Sequence, residues 1–371
     1  MTTEDQIVVA DREEMASASG RRTAVTAVVI AVVVIVLWRA LTWQLDYFAF
    51  SPGSATPTNG LVDVEGSEAF PPDGDLYFTT VSSRTVTVLD WIGAQFDPAV
   101  ELRSSDEVLG GRSNEERREQ NQAAMLSSQD VAEVVALRHL GFDVVDFVGA
   151  MVVAVGEDTA ADGVLEPGDV VIEADGAPIT TQIELVEAVQ ALDPGDALEL
   201  AIRDLDGGEP EMVTVTLGES EEGEALLGVS IVTDWEQVAD PPVDVEIDAG
   251  SVGGPSAGLA WTLTILDLLT PGELTGDNQV AVTGTMELDG TVGPIGGVVQ
   301  KTYAVREQGI DVFIVPEPDA EAARSAAGDE VQIFGVETLD EALAALDELG
   351  GNALALEPPE ELAEGAGEPI G

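Results

Sequence analysis

The sequence predicts an α+β chain built in pieces: an N-terminal transmembrane helix, a small β-sandwich-like domain with helices, and an α/β domain toward the C-terminus. Three observations carry this. An unbroken apolar run, Thr23 to Trp38, stands near the start. Between about 136 and 218, short apolar runs are separated by Gly, Pro and Asp turns around one helical stretch. From about 227 to 350, strand-like and helix-like stretches alternate, as in an α/β layer.

Residues 1–22 read as a cytoplasmic tail, and 23–43 as the transmembrane helix, at the short end of the roughly 20 residues that span a bilayer. Arg39 would snorkel to an interface, with Trp38, Trp43 and Tyr47 in an aromatic belt. Arg21 and Arg22 place the N-terminus inside. That makes a single-pass protein of the cell membrane, with the lipid bilayer as a partner and the bulk of the chain extracytoplasmic. The rival reading is a cleaved signal peptide with Gly53-Ser54-Ala55 at the cleavage site, set against five acidic residues ahead of the apolar run. Residues 44–75, rich in Pro, Gly, Ser and Thr from Phe50 onward, read as a linker. Residues 76–135 are a mixed α/β segment of no legible role. Within it Leu76–Val81 and Thr85–Leu89 look like strands, Asn114–Leu126 is polar and helix-compatible, and Ser128 or Asp130 caps a helix to about Leu140. The acidic tail 351–371 reads as disordered.

Composition removes whole classes of function. Seventy-one acidic residues against fourteen basic ones give a formal charge of −57, so nucleic acid is excluded as a partner by repulsion. There is no cysteine, hence no disulfide, thiolate metal site or cysteine nucleophile. A single histidine, His139, rules out a two-histidine zinc site. No glycine-rich loop precedes a Lys-Ser/Thr pair at phosphate-binding spacing, so the chain carries no recognisable ATPase of its own. No metal and no cofactor is expected.

In the stretch 136–218, the strand Met151–Val155 is followed by Gly163-Val164-Leu165-Glu166-Pro167-Gly168-Asp169, an apolar strand, Asp175-Gly176, a helix over about Gln182–Leu192, and strands at Ala197–Arg203 and Met212–Leu217. Over these 80 or so residues the chain resembles a PDZ domain. The resemblance implies a loop whose N–H groups receive a peptide's terminal carboxylate while the peptide adds a strand to the sheet edge. Leu140-Gly141-Phe142 stands where that loop would be. The plain alternative is a helix end with a C-cap glycine.

The chain has one lysine, Lys301; its other thirteen basic residues are arginines. Lysine can lose its proton when desolvated and act as a base, whereas arginine stays charged. Lys301 follows Gly293-Pro294-Ile295-Gly296-Gly297, and Ser256 lies 45 positions upstream in Gly253-Gly254-Pro255-Ser256-Ala257-Gly258, at a loop-to-helix junction. Unpaired N–H groups at a helix start can stabilise an oxyanion beside an attacking hydroxyl. Gly254, Pro255 and Ala257 form that oxyanion-hole or substrate-approach loop. Ser256 and Lys301 together read as a Ser–Lys catalytic dyad; taken alone, the serine loop reads as an ordinary turn with an N-cap.

The order of four motifs decides between them. Gly254-Pro255-Ser256-Ala257-Gly258, Thr283-Gly284, Gly290-Thr291-Val292 leading to Pro294-Ile295-Gly296-Gly297, and the lysine four residues later look like the proteolytic domain of the Lon-type serine peptidases, over about 227–350. The resemblance implies that Ser256 is the nucleophile, Lys301 the general base and Thr283 the residue that orients the lysine. Many relatives have an acidic residue where Gly253 stands and carry a large ATPase module, which this chain lacks. Membrane segment, PDZ domain and Lon-type domain together resemble the membrane-anchored PDZ–Lon-type proteases of bacteria, whose ring assembly implies a homo-oligomer.

The expected activity is therefore an ATP-independent, membrane-tethered serine endopeptidase, with the PDZ domain recruiting or presenting protein or peptide substrates. The alternative is a non-catalytic PDZ scaffold with a degenerate peptidase-like domain. For catalysis the lysine, ordinarily near pKa 10.4, must be brought toward neutrality by burial. No carboxylate should then pair with it, and Val298, Val299 and the Thr283 hydroxyl should surround it.

Overall fold

A computed structural model describes residues 28–358, except 36, 37, 40, 68, 72, 73, 143, 157, 158, 205–207, 221, 222, 238–242 and 277. The chain divides into two compact units. One is built mainly from the stretches before residue 137 and after residue 244, the other mainly from 137–244.

The first unit opens with β1 (Gln44–Pro57), paired antiparallel with β2 (Asp75–Thr87). Thr87 caps α1 (Val88–Ala94) in a reciprocal capping box with Asp90. Next come β3 (Glu101–Ser104), on the other side of β1, and α2 (Ser105–Leu109), which Ser104 and Glu107 cap the same way. The long helix α3 (Asn114–His139) follows. The expected linker 44–75 is thus largely sheet. Its small residues serve close packing rather than slack: a Cβ on Gly53 would lie 2.4 Å from Thr80 Oγ1 and 2.5 Å from Thr80 O, beside the irregularity between Pro52 and Ala55. The proposed cleavage residues Gly53–Ala55 are inside this strand, where the Ser54 N–H donates to Thr80 Oγ1 at 2.9 Å.

The expected transmembrane helix, the single-pass membrane localisation and the bilayer partner are corrected. Among the described residues no helix is long and apolar enough to cross a membrane. Residues 28–35, 38, 39, 41 and 42 are helical, and β1 takes over at Gln44. Arg39 lies over the Trp43 ring at 5.1 Å. Residues 23–27, 36, 37 and 40 of the expected span lie outside the described residues, as do the tail 1–22 and residues 359–371.

The main sheet of the second unit is antiparallel, in the order β8-β4-β5-β6-β7. Its strands are β4 (Val145–Val155), β5 (Asp169–Ala174), β6 (Ala197–Asp204), β7 (Glu211–Thr216) and β8 (Val229–Gln237), with α4 (Gln182–Gln190) between β5 and β6. Asp175 and Gly176 both take positive φ in the turn after β5, which suits an Asp-Gly pair. Leu185 and Val189 of α4 pack on Ala150, Leu198, Leu200 and Val215 of the sheet. This unit reaches past the expected boundary at 218 because β8 pairs with β4 along its whole length, from Val229 opposite Val155 to Gln237 opposite Val145.

The chain then returns to the first unit with α5 (Gly258–Leu269), β9 (Gln279–Val282), α6 (Val298–Gln308), β10 (Val312–Pro316), α7 (Glu317–Ala327), β11 (Gln332–Val336) and α8 (Leu339–Glu348). One six-stranded sheet runs β11-β10-β9-β2-β1-β3. The first four of these are mutually parallel and the last two pairings are antiparallel. The α/β half expected at 227–350 is therefore completed by strands from 44–104. Helix α5 is mostly apolar and almost wholly buried, and its polar side chains are satisfied inside: Thr262 and Thr264 donate to Gly258 O and Ala260 O, and Asp267 accepts from the Leu274 N–H. Its Trp261 lies 5.0 Å from the Phe78 ring of β2. The expected disordered tail is ordered at its start: Ala353 is buried, and the Asn352 side chain donates to Pro271 O at 2.9 Å.

Candidate active site

Ser256 sits two residues ahead of α5, in a loop held from three directions. Its carbonyl accepts from the Gly284 N–H at 3.0 Å and from Thr283 Oγ1 at 2.9 Å. The Pro255 carbonyl accepts from Ser128 Oγ of α3 at 3.0 Å. The Gly254 N–H donates to Asn121 O of α3 at 2.7 Å, with Gly254 at φ +97°, a conformation suited to glycine.

Lys301 is in the first turn of α6, which starts from Gly297 at φ +72°. A side chain there would also drive into Val81, 2.8 Å from the ideal Cβ. From this turn the lysine reaches across the core, and Nζ ends 2.8 Å from Ser256 Oγ and 2.8 Å from Thr283 Oγ1. The residue is 2 % exposed. Burial pushes its amine down from the usual range to about 7, against a weaker opposing pull from the Asp319 charge. Asp319 is engaged elsewhere, accepting from the Ile295 N–H at 3.0 Å. Among the described residues no carboxylate forms an ion pair with Lys301. Val298 and Thr302 beside it are buried; Val299 is half-buried.

Of the loop residues singled out by sequence, Pro255 has no N–H and the Gly254 N–H is already bonded. Among the described residues the N–H groups of Ser256 and Ala257 have no protein acceptor.

Ser256 and Lys301 open onto a cavity of about 620 Å³. Sequence reasoning missed two of its walls. One is β2, from Phe78 to Ser83; the other is α3, through Arg117, Arg118, Asn121, Gln122 and Met125. Nothing local marks them, because a polar helix far back in the chain gives no sign of what it faces. Gly253 explains how α3 fits: a Cβ there would stand 3.0 Å from Asn121 Cβ and 3.2 Å from its backbone.

In the second unit, Leu140-Gly141-Phe142 forms a helix end. Gly141 has φ +91°, its N–H donates to Arg138 O at 2.9 Å, and the Phe142 N–H donates to Leu137 O at 3.0 Å. This is the two-bond glycine closure of an α-helix, and it uses the amides a carboxylate would need. The edge of β4, where a peptide strand would add, is occupied by β8, whose Thr233 Oγ1 accepts from the Gln182 N–H of α4 at 3.1 Å. The expected carboxylate loop is not formed here.

Residues 229–347 match the model of the Lon protease (S16) C-terminal proteolytic domain, and residues 93–217 match that of the PDZ domain. Lon protease 1 of Herpetosiphon aurantiacus is 36% identical over 148 residues, covering 39% of this chain and 17% of that protein. Lon protease of Lachnoclostridium phytofermentans is 28% identical over 162 residues, covering 40% and 20%. The matched segment is thus about a fifth of each relative's length. The PDZ domain of an SdrC-like protein from Listeria monocytogenes superposes with a TM-score of 0.22 at 24% identity, covering 23% of this chain and 90% of that one.

Proposed function

We propose, on the premise that this chain carries a Lon-type proteolytic domain and a PDZ domain, that it is an ATP-independent serine endopeptidase with Ser256 as nucleophile and Lys301 as general base. The observation that supports this most is the 2.8 Å approach of Nζ to Oγ in a site dry enough to bring the amine to about 7. The neutral amine takes the Ser256 proton, and the alkoxide oxygen attacks the scissile carbonyl carbon. The tetrahedral oxyanion faces the Ser256 and Ala257 N–H groups. As the C–N bond breaks, the Lys301 ammonium returns its proton to the leaving amine, and water then hydrolyses the acyl-enzyme by the same route. Thr283 is the positioning residue. Its hydroxyl donates to Ser256 O and accepts from Nζ, which leaves the amine's lone pair facing Oγ.

The PDZ domain belongs to this reading as the part that engages the substrate protein away from the scissile bond. With β8 on the edge of β4, that engagement must displace β8 or use another face. Assembly into a homo-oligomer is carried by the family resemblance alone; light scattering on the purified chain tests it.

The decisive experiment is turnover of casein and of fluorogenic peptides without nucleotide. Wild type is expected to cleave, with Ser256→Ala and Lys301→Arg slower by about a thousandfold or more while remaining folded. Equal turnover in all three, or none in wild type across pH and salt, rejects the reading and favours the scaffold.

A further inference from the structure

The chemical character of the cavity around Ser256 is opposite to that of the protein. Asp and Glu supply 71 of the 371 residues, about one in five, yet none of the eighteen residues lining this cavity is acidic. Three of the chain's fourteen basic residues do line it: Lys301, Arg117 and Arg118. The two arginines are consecutive on α3, on the wall facing the Ser256 loop, and among the described residues neither forms an ion pair. Arg117 is half-buried, lies over the Phe48 ring of β1 at 5.2 Å, and keeps a buried Nε without a hydrogen-bond partner. Arg118 is exposed at the cavity wall. Elsewhere acid is abundant enough to pair arginine, as at Arg84 with Asp90 and Arg306 with Glu330. Even on α3 itself, Glu115, Glu116 and Glu119 stand off the cavity lining.

Excluding carboxylates from the walls has one evident use for the buried amine, since a nearby acid would raise its pKa. It does not explain two unpaired guanidinium groups, since burial already accounts for the lowered amine pKa. Guanidinium binds carboxylate in a planar, two-pronged fashion and is held in reserve here for a ligand.

We propose that Arg117 and Arg118 are specificity-determining residues that select peptides carrying Asp or Glu close to the scissile bond. This deepens the endopeptidase reading and rests on it for the word scissile, though not for the charge preference. The protein's overall negative field works against acidic ligands at long range. At 0.15 M salt that field decays over about 8 Å, whereas a carboxylate in contact with the arginines is barely screened. Contact therefore wins once the peptide is seated, and the preference shows in binding at moderate salt.

The test uses the full chain bearing Ser256→Ala, so that nothing is consumed. Three fluorescent decapeptides share a Leu-Ala centre and differ only in having Glu, Gln or Lys at the two positions on either side. At 0.15 M salt the Glu peptide is expected to bind about five- to tenfold more tightly than the Gln peptide, and the Lys peptide most weakly. Arg118→Gln should remove most of that gap, and Arg117→Gln with Arg118→Gln all of it. Because Arg117 packs on Phe48, the single Arg118 variant keeps the test valid should the double variant fold poorly. Equal affinity for Glu and Gln peptides, or a gap that Arg118→Gln leaves intact, overturns the inference. Restoring Ser256 separates the two readings. Peptides bound in the expected order but left uncut refute the peptidase and keep the anion selectivity. Peptides cut at rates indifferent to charge, with no binding gap, keep the peptidase and refute the selectivity.

Discussion

The Lys301 amine is the residue on which the proposed chemistry turns, and its burial sets a measurable pH dependence. Its pKa is pushed down to about 7 by desolvation, and the competent form is the neutral one. Activity is therefore expected to rise with pH up to about 7 and level off above it, falling about tenfold per unit below; a kcat/KM profile from pH 5 to 9 checks this. A base left at the usual lysine value would instead keep climbing past pH 9. Thr283 can be tested by keeping its shape and deleting its hydroxyl. Thr283→Val breaks the 2.8 Å contact to Nζ and the 2.9 Å contact to Ser256 O together. We expect kcat to fall about 10- to 100-fold with KM little changed, since binding surface is retained and only alignment is lost.

At the scale of elements, the start of α5 shows tertiary packing overruling helix propensity. Replacing a helical glycine by alanine ordinarily gains up to about 1 kcal/mol. At Gly258, however, the added Cβ would lie 2.9 Å from Ser128 Oγ of α3 and 3.0 Å from the Met286 backbone nitrogen. Gly258→Ala is thus expected to cost about 1–3 kcal/mol in urea unfolding, and to slow turnover by moving the loop that carries Ser256. The same element scale separates what could be read in advance from what could not. The stretch from Ser256 to Lys301 was legible, because the glycines, the threonine and the lysine each answer a local demand of turn, helix start or base. The segment 44–75 was not. Its Pro, Gly, Ser and Thr content matches a linker, and only the pairing of β1 with β2 and β3 turns most of it into sheet. In 76–135 the strand and helix signals were present, but nothing in them showed that they would wall the cavity beside Ser256. In the same way Gly141 has the same sequence appearance in a carboxylate loop and in a helix closure; the hydrogen bonds to Leu137 O and Arg138 O decide it.

For the whole molecule, a formal charge of −57 means that folding works against self-repulsion. Raising NaCl from about 0.02 to 0.5 M shortens the screening length from about 20 to 4 Å. The melting temperature is expected to rise by about 5 °C or more over that range, readable by calorimetry; a flat response would mean that self-repulsion does not limit the stability of the fold. The family match at 229–347 and the first unit do not share boundaries. The match begins on β8, which lies in the sheet of the second unit, while strands β1, β2 and β3 and helices α1, α2 and most of α3 in the first unit come from before it. The sequence of β8 does not name its partner; the pairing with β4 does.

By itself the sequence singled out the side chains on which the proposed chemistry rests, since a hydroxyl, a solitary lysine and the glycines that let the backbone turn are choices made locally. Only the tertiary structure decided what surrounds them: that α3 brings two arginines to the cavity beside Ser256, that β8 fills the edge of β4, and that no described helix is long and apolar enough to cross a membrane. The reason is physical. Local residues fix turns and ionisable groups, whereas pairing and burial depend on surfaces contributed from distant parts of the chain.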